Sequence, residues 1–459
     1  MSHSPGVRGK DTSLAALAER ISTLSSQLSA YLACNSFPEP TFAPDGGAVP
    51  ETHEYEALRA PLNDAALDLL RLVNGPKSTL RELFFSQYDL AALQIALDRR
   101  LFEHVPLPPA AGEAPGALAA AAAAAAAAET TAVSLPRASV AEVASKAGMD
   151  EDRTGRVLRM LATRRIFAEG GGGGGGGEGF AHTAQSACLA RDGDFRATAD
   201  MQMDDMLRAA SESSAVVSRS PFASDASRSA FHERFGVSMY QYYEQRPDKA
   251  RRFARAMGAW SRLDRSIEEL HESFPWASLG DGKVVDIGGG SGHISLGLAH
   301  KFPSLRFVVQ DISPQMLAQA RGDDAGGRVS FQQHDFFEPQ PVADAAAFLL
   351  RQCLHNHADA DAVRIVRAVV PALERCAPGT PLLVNEVVLP APGTATRFEE
   401  HHLRQVDFCM MVTLGAKQRT EGEFAALFKD ADHRLEVVAV HRNPQGVGLL
   451  EVQLKVPGR

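Results

Sequence analysis

The 459-residue sequence is poor in cysteine, and its five cysteines include no Cys-x-x-Cys pair. This spacing excludes a disulfide framework and a thiolate zinc site, and it is typical of a reducing compartment, so we expect a cytoplasmic protein. The sequence also has no apolar run of about 18 residues, the minimum for a transmembrane helix. Its amino terminus lacks the apolar segment of a signal peptide. We therefore expect no association with a membrane.

Positive charge is in deficit as well. Lysine and arginine number 47 against 56 aspartates and glutamates, a net charge of −9. This balance argues against a surface built to hold nucleic acid, because the phosphate backbone is bound through excess positive charge. The hydrophobic fraction of 45% is ordinary for a globular protein. At about 150 residues per domain, the length suggests two or three domains.

Residues 1–205 are predicted to form a mostly helical domain. Leucines and isoleucine recur every three or four positions from Leu14 to Leu32, which predicts a helix capped by Asp11 or Thr12. Further helices are predicted over 61–73, ending at Asn74-Gly75-Pro76, and over 89–101, capped by Asp89. The alanine-rich segment 106–135 and the glycine run 170–177 are predicted to be low-complexity insertions without chemistry.

Residues 140–182 show a winged-helix pattern: a helix, a turn at Gly148, a second helix, a short strand and a possible return strand. Arginines on or near the second helix are compatible with DNA binding. The acidic residues that open this helix (Asp150, Glu151 and Asp152) would repel phosphate. We therefore favour a structural role for this element and expect no nucleic-acid partner.

From Lys283 onward, short β-branched runs alternate with helical segments. Strand–helix alternation predicts an α/β domain with a mostly parallel sheet and helices on both faces. The last two runs flank Asn443-Pro444-Gln445-Gly446 and predict a terminal antiparallel hairpin. We assign residues 206–459 to this second domain.

The strongest motif is a glycine loop between a predicted strand and a helix. It reads Gly-x-Gly-x-Gly at Gly288, Gly290 and Gly292. The dinucleotide fingerprint would require glycine where His293 stands, so a pyrophosphate cofactor such as NAD is not favoured. Asp311 ends the next strand, 23 residues after Gly288, where a carboxylate can accept hydrogen bonds from ribose hydroxyls.

The following strand ends at Asp335 and Phe336, an acceptor for an exocyclic amine and an aromatic face for adenine. Together these elements predict a cofactor that carries adenosine without a pyrophosphate. They resemble the S-adenosylmethionine-dependent methyltransferases. The downstream segments FLLRQCLHNHADADAVRIV, PLLVNEVVLP and DFCMMVTLGAKQRTEGEF are similar to those of plant and fungal small-molecule O-methyltransferases, the group of the caffeate and sterigmatocystin-type enzymes.

This resemblance covers roughly residues 80–459 and is strongest after residue 280. It implies a Rossmann-like carboxyl-terminal domain, an amino-terminal winged-helix domain that forms a homodimer, and S-adenosyl-L-methionine as cofactor. The acceptor is expected to be a small phenolic aromatic, including polyketides. Arg351 matches a basic residue that contacts the cofactor in the family.

The resemblance also implies a catalytic set. His355 stands where the family has its general base, and Glu386 is the matched partner that orients it. Gln418 stands where plant members often have glutamate, and it can hydrogen-bond His355 without stabilising an imidazolium by charge. The acceptor-pocket candidates are His402, Asp407, Met410 and Met411. We see no cluster of carboxylate and amide ligands for Mg²⁺ and expect no metal.

Two further departures affect the cofactor side. The family usually reads His-Asp-Trp where this chain reads His355-Asn356-His357. These departures leave a rival hypothesis open, namely a non-catalytic regulator that keeps the fold and binds partners or DNA through the winged helix. A regulator would have little reason to retain the glycine loop together with Asp311, Asp335 and His355, so an O-methyltransferase is favoured.

Overall fold

The computed structural model describes residues 13–47, 49–108, 135–170, 178–260, 266–319, 325–443 and 446–455. They fall into two compact units. The first runs to Leu207 and includes Asp248–Trp260, whereas the second contains Arg208–Pro247 and the chain from Ser261 onward. The alanine-rich and glycine-rich segments lie almost wholly outside the described residues. Among the residues described, no helix is long and apolar enough to cross a membrane.

The described ranges contain helices α1 to α18 and strands β1 to β10. The helices are α1 (Leu14–Cys34), α2 (His53–Asp98), α3 (Leu101–His104), α4 (Val140–Ala147), α5 (Glu151–Thr163), α6 (Ala184–Arg191), α7 (Gly193–Met201), α8 (Leu207–Ala210), α9 (Ser213–Arg219), α10 (Ala230–Phe235), α11 (Met239–Glu244), α12 (Pro247–Trp260), α13 (Ser266–Ser273), α14 (His293–Lys301), α15 (Pro314–Gln319), α16 (Asp359–Leu373), α17 (Arg397–Leu414) and α18 (Glu421–Ala431). The strands are β1 (Phe167–Gly170), β2 (Gly179–His182), β3 (Lys283–Ile287), β4 (Arg306–Asp311), β5 (Val329–Gln333), β6 (Ala347–Arg351), β7 (Leu382–Leu389), β8 (Arg419–Thr420), β9 (Leu435–His441) and β10 (Val447–Leu454). Short 3₁₀ turns lie at Ala226–Arg228, Trp276–Leu279 and Leu354–Asn356, and a π-helical turn at Gln202–Met206.

The amino-terminal helices form largely where the sequence predicts them, with three corrections at their ends. The cap of α1 is Ser13, whose hydroxyl accepts from the Ala16 amide at 3.1 Å, whereas Asp11 and Thr12 lie outside the described residues. The predicted stop at Gly75 is a kink: Gly75 has φ 70° and ψ 170°, and helical structure resumes at once. The prediction that Asp89 caps a helix is wrong, because residue 89 lies inside α2.

The helix pair α4 and α5 is followed by the antiparallel hairpin β1–β2, as the periodicity predicts. Gly148 makes the turn in the left-handed conformation. Two arginines on or near α5 are paired with carboxylates of the same unit. Arg164 donates to Asp89 at 3.0 Å, and Arg159 donates to Glu169 at 2.9 Å. Because these two guanidinium groups already have carboxylate partners, they offer less free positive charge to phosphate than the sequence alone would indicate.

The second unit is built on one eight-stranded sheet, ordered β5-β4-β3-β6-β7-β10-β9 with β8 beside β7. Strands β3 to β8 pair in parallel, and β10 runs antiparallel to β7 and β9. Val284 and Val285 of β3 are both buried, as expected of a strand covered on both faces. The predicted α/β fold and terminal hairpin are therefore confirmed.

The strand order places a crevice at the middle of this sheet. The chain passes from β3 outward to β4 and β5, and then returns to β6 on the other side of β3. Ligands of open α/β sheets bind at such a reversal, beyond the carboxyl ends of the strands. The glycine loop follows β3 and His355 follows β6, so the two sequence motifs flank this reversal.

An exposed apolar face on α2 distinguishes the first unit. Leucine, phenylalanine and tyrosine side chains stand open on both sides of the kink, including Leu70, Leu83, Phe84 and Tyr88. In contrast, Leu17 and Leu32 of the predicted α1 stripe are buried. Large contiguous apolar patches on soluble proteins usually mark interaction sites. The resemblance implies a homodimer, and we expect it to form through α2 rather than through the stripe of α1.

We expect the double substitution Leu83→Ser/Phe84→Ser to shift the protein from dimer toward monomer in sedimentation velocity. The two side chains are 70% and 59% exposed, and burying each contributes about 1.5–3 kcal/mol. Val438→Ser, at an exposed apolar residue of β9 in the second unit, is the matched control and should leave the distribution unchanged. A monomeric wild-type protein at micromolar concentration would contradict the expectation directly.

Candidate active site

The glycine loop after β3 is shaped by contacts that exclude side chains. Gly288 and Gly292 have φ of 71° and 77°, in the left-handed region. A Cβ on Gly288 would lie 2.8 Å from the Cys353 sulfur, and one on Gly292 would lie 2.8 Å from the Phe331 ring. The Gly289 amide donates to the Gln310 carbonyl at 2.9 Å, which ties the loop to the end of β4. The loop therefore keeps its backbone open at the crevice.

Asp311 lies at the end of β4 and holds this loop. One carboxylate oxygen accepts from the Gly290 amide at 3.0 Å, and the other accepts from the Ser313 amide at 2.8 Å. Each carboxylate oxygen can accept more than one hydrogen bond, so both can still receive ribose hydroxyls. The structure thus joins Asp311 and the predicted glycines in one group.

Asp335 and Phe336 follow β5 at the same edge of the sheet. The Asp335 carboxylate accepts from the Phe337 amide at 2.9 Å. The Phe336 ring lies beside Gly288, 3.5 Å from where a Cβ would stand. His357 meets the Phe336 ring edge-on, with ring centroids 5.6 Å apart. His357 therefore occupies the aromatic side of the crevice, where the related enzymes carry tryptophan.

His355 and Glu386 meet as the resemblance implies. The His355 Nδ1 atom lies 2.7 Å from Glu386 Oε2, although the two atoms meet off the line of an ideal hydrogen bond. Glu386 sits on β7 with its side chain fully buried. Its other oxygen accepts from the Leu354 and His355 amides at 2.7 and 3.3 Å. The carboxylate therefore orients both the ring and the backbone of His355.

Gln418 is buried, with 2% of its surface exposed. Its backbone N–H donates to Asp407 Oδ1 at 2.8 Å. Its side-chain oxygen and nitrogen have no hydrogen-bond partner within the described chain. The expected hydrogen bond to His355 is therefore not formed in this structure. Arg351 instead donates to the Asn385 side chain, between β6 and β7.

The acceptor-pocket candidates all lie on α17. His402 and Met411 are nine residues apart, about two and a half helical turns, so their side chains leave the helix in nearly opposite directions. Asp407 is tied to Gln418 by the backbone hydrogen bond. Met410 and Met411 are half-buried, whereas His402 is exposed. The four candidates therefore cannot all face one pocket.

Sequence reasoning missed two groups that shape the site. Arg419, next to Gln418, is fully buried and donates to the turn that carries His355. Asn385 receives Arg351 and donates to the Gly448 carbonyl at 2.7 Å. For Asn385 the available signal was a polar residue inside an apolar strand pattern, whereas the polar segment around Arg419 offered none. In the parts of the chain that are described, no three His, Cys, Asp or Glu side chains gather as a metal site would require.

The donor set fits S-adenosylmethionine. An open glycine loop, two carboxylates and an aromatic ring match an amino acid, a ribose and an adenine. The loop also departs from the pyrophosphate fingerprint, since His293 begins α14 where the third glycine would stand.

Comparison with known proteins agrees with this geometry. Residues 219–434 match the family profile of the O-methyltransferase domain. O-methyltransferase sol2 of Alternaria solani is 45% identical over 456 residues, which is 98% of this chain and 97% of that protein. The chlorophenol O-methyltransferase of Trichoderma longibrachiatum is 28% identical over 439 residues, 93% of this chain and 86% of that one.

Among solved structures, the O-methyltransferase NcsB1 from neocarzinostatin biosynthesis, in complex with S-adenosylhomocysteine and 1,4-dihydroxy-2-naphthoic acid, superposes with a TM-score of 0.58. It is 24% identical and covers 80% of this chain and 96% of its own. This likeness concerns the fold.

The fold and the sequence relatives together define a class I methyltransferase. The chain belongs to the S-adenosylmethionine-dependent small-molecule O-methyltransferase family. It is an O-methyltransferase with S-adenosyl-L-methionine as its cofactor, as the sequence predicts.

Asp286 is buried near the end of β3, and its carboxyl group makes the stability of the fold depend on pH. Burial raises the pKa of Asp286 to about 6, against the hydrogen bond from Ser295 at 2.7 Å, which lowers it. The pKa of Asp286 is higher in the folded state than in the unfolded chain, so protonation of this carboxyl stabilises the fold. The stabilisation is fully present below about pH 4 and is lost as the pH rises through 6.

We therefore expect Asp286→Asn to gain stability relative to wild type between about pH 4 and 7.5. A pKa near 6 in place of 3.8 corresponds to about 3 kcal/mol. Calorimetric melting across this range measures the difference, and Asp281→Asn, at an exposed carboxylate just before β3, is the control. Parallel curves for wild type and Asp286→Asn would show that the carboxyl does not titrate in this window.

Proposed function

We propose that this enzyme methylates a phenolic hydroxyl of a small aromatic secondary metabolite, with His355 as the general base. The observation that carries the proposal is the contact of 2.7 Å between His355 Nδ1 and the buried Glu386 carboxylate. A histidine held in this way has a defined orientation, and its Nε2 atom is the nitrogen left to accept a proton. The names of two comparison proteins, a chlorophenol O-methyltransferase and a structure with a dihydroxynaphthoic acid, support a phenolic acceptor.

A phenol requires such a base because its pKa of about 10 leaves it mostly protonated at neutral pH. When bound, S-adenosylmethionine supplies a methyl group already activated by its positively charged sulfur. In our proposal His355 Nε2 accepts the proton of the phenolic hydroxyl, so that the oxygen would be free to take the methyl group that the bound cofactor would supply, leaving S-adenosylhomocysteine. The fully buried Glu386 carboxylate stabilises the resulting imidazolium.

We assign the cofactor to the glycine loop and the carboxyl ends of β4 and β5. Asp311 would accept from the ribose hydroxyls, Asp335 from the adenine amino group, and Phe336 would pack on the adenine ring. Gly288, Gly290 and Gly292 would leave room for the cofactor's amino-acid portion. Arg351 is placed at the crevice by its bond to Asn385 and would add positive charge near the cofactor carboxylate.

Gln418 is assigned to the acceptor side. A buried amide with neither polar atom paired costs stability unless a ligand satisfies it. We assign Asp407 and the half-buried Met410 and Met411 to the same side, where the thioethers can pack on an aromatic ring. The assignment of His402 to the acceptor pocket is supported only by the family resemblance.

If Asp311 binds the ribose, Asp311→Ala should weaken S-adenosylhomocysteine binding by about 1.5–3 kcal/mol, the contribution of hydrogen bonds to a charged group. Isothermal titration calorimetry measures the change. Asp344→Ala is the matched control, because this exposed carboxylate pairs with Lys283 at the opposite edge of the sheet. Unchanged affinity in Asp311→Ala would refute the assignment.

If His355 removes the acceptor proton, His355→Ala should lower kcat by about two orders of magnitude or more on an ordinary phenol. Cofactor affinity should change little, because the base serves the acceptor. The defect should shrink for an acidic phenol that ionises unaided, such as a nitrophenol. Equal losses on both phenols, or no loss, would show that His355 is structural and that the proton leaves by another route.

A further inference from the structure

The second buried charge of the site lies on Arg419, which the reaction scheme above does not use. Its side chain is fully enclosed, with no exposed surface. A buried guanidinium is strongly destabilising unless its donors are paired. The groups that pair with Arg419 therefore indicate the function of this buried charge.

Arg419 binds on both sides of the catalytic histidine. Its Nη1 atom donates to the Leu354 carbonyl at 2.9 Å, and its Nη2 atom donates to the His357 carbonyl at 2.8 Å. The Nε atom donates to Asp359 Oδ1 at 2.9 Å. One planar group thus spans the 3₁₀ turn and the start of α16, and His355 lies between the two carbonyls that it holds.

Glu386 holds the same turn with the complementary chemistry: it accepts from amides of the turn, whereas Arg419 donates to its carbonyls. The amides of Leu354 and His355 donate to the Glu386 carboxylate, while carbonyls of the turn receive Arg419. The two side chains are also linked through the sheet. Arg419 in β8 pairs with Val388 of β7, two residues beyond Glu386, so both side chains leave this strand pair toward the same face. The carboxylate and the guanidinium therefore form one frame around His355.

We propose that Arg419 is a positioning residue for methyl transfer, which fixes the backbone of the 354–357 turn so that the His355 ring meets both Glu386 and the acceptor. This inference rests on the proposed role of His355 as the base. Arginine suits the task because its rigid fork of donors reaches two carbonyls and a carboxylate at once, which a lysine ammonium on a flexible stem does not reproduce.

The first test compares Arg419→Gln with wild type on an ordinary phenol and on an acidic one. On the ordinary phenol, kcat should fall by about 10- to 100-fold, the loss expected when a catalytic group is displaced by about 1 Å. On the acidic phenol the loss should be smaller, and the affinity for S-adenosylhomocysteine should be retained. Arg419→Lys should recover part of the rate.

The matched control is Arg367→Gln. Arg367 in α16 also donates to two backbone carbonyls, those of Asp430 and Ala431, but these belong to the end of α18 and not to the histidine turn. It should keep the wild-type ratio of rates on the two phenols. Asp359→Ala covers the case in which Arg419→Gln does not fold. The Asp359 side chain is 59% exposed, and its loss should produce the same selective defect in weaker form.

A double-mutant cycle separates this proposal from the one on which it rests. If Arg419 acts through His355, Arg419→Gln should lower kcat much less in the His355→Ala background than in wild type. Full additivity, a wild-type rate in folded Arg419→Gln, or equal losses on both phenols would overturn the positioning role. A failure of His355 as base appears separately, as equal loss or no loss in His355→Ala alone.

Discussion

The active site depends on a single buried carboxylate. Glu386 lies inside β7 with no exposed surface, and such a group is tolerated only where its charge is met by donors. Here two amides of the turn after β6 donate to the carboxylate, and the His355 ring lies in close contact with its other oxygen. Since β6 and β7 are neighbouring parallel strands, the pairing of the sheet itself brings donor and acceptor together. The arrangement therefore links the integrity of the sheet to the orientation of the proposed base.

The cofactor side of the crevice is organised by backbone groups. The glycine loop is held by Asp311 and by the Gln310 carbonyl at the end of β4, and three of its glycines (Gly288, Gly289 and Gly292) leave no space for a Cβ. Asp286 stands beneath the loop with its pKa raised by burial, which is a cost in stability at neutral pH. Functional crevices commonly contain groups that lower stability in this way. The close packing and low dielectric that destabilise a buried carboxylate also pre-organise the site.

In the proposed scheme Gln418 lies on the acceptor side, where the resemblance implies a glutamate in many plant members. An amide brings both a donor and an acceptor but no charge, so the imidazolium would be stabilised by Glu386 alone. In that scheme the buried amide, unpaired within the described residues, would meet hydrogen-bonding groups of the acceptor beside the reacting hydroxyl. In this respect the chain differs from the plant enzymes that it resembles.

The sequence by itself determined the class of fold, the glycine loop, the cofactor and the family, because each depends on local patterns: strand–helix alternation, turn-forming glycines and short motifs around His355 and Glu386. Ends of helices were less predictable, as Asp89 shows, because its carboxylate bonds to Arg164 across the unit and does not cap a helix. Only the tertiary structure decided which polar residues are buried together. Arg419 reads in the sequence as an ordinary basic residue before a helix, and its role depends on the parallel pairing of β8 with β7, which places it against a turn more than 60 residues earlier in the chain. Likewise, periodicity could not show which apolar residues of α1 and α2 are covered. Both patterns are helical, and only packing determines that Leu17 and Leu32 are buried whereas Leu83 and Phe84 are exposed.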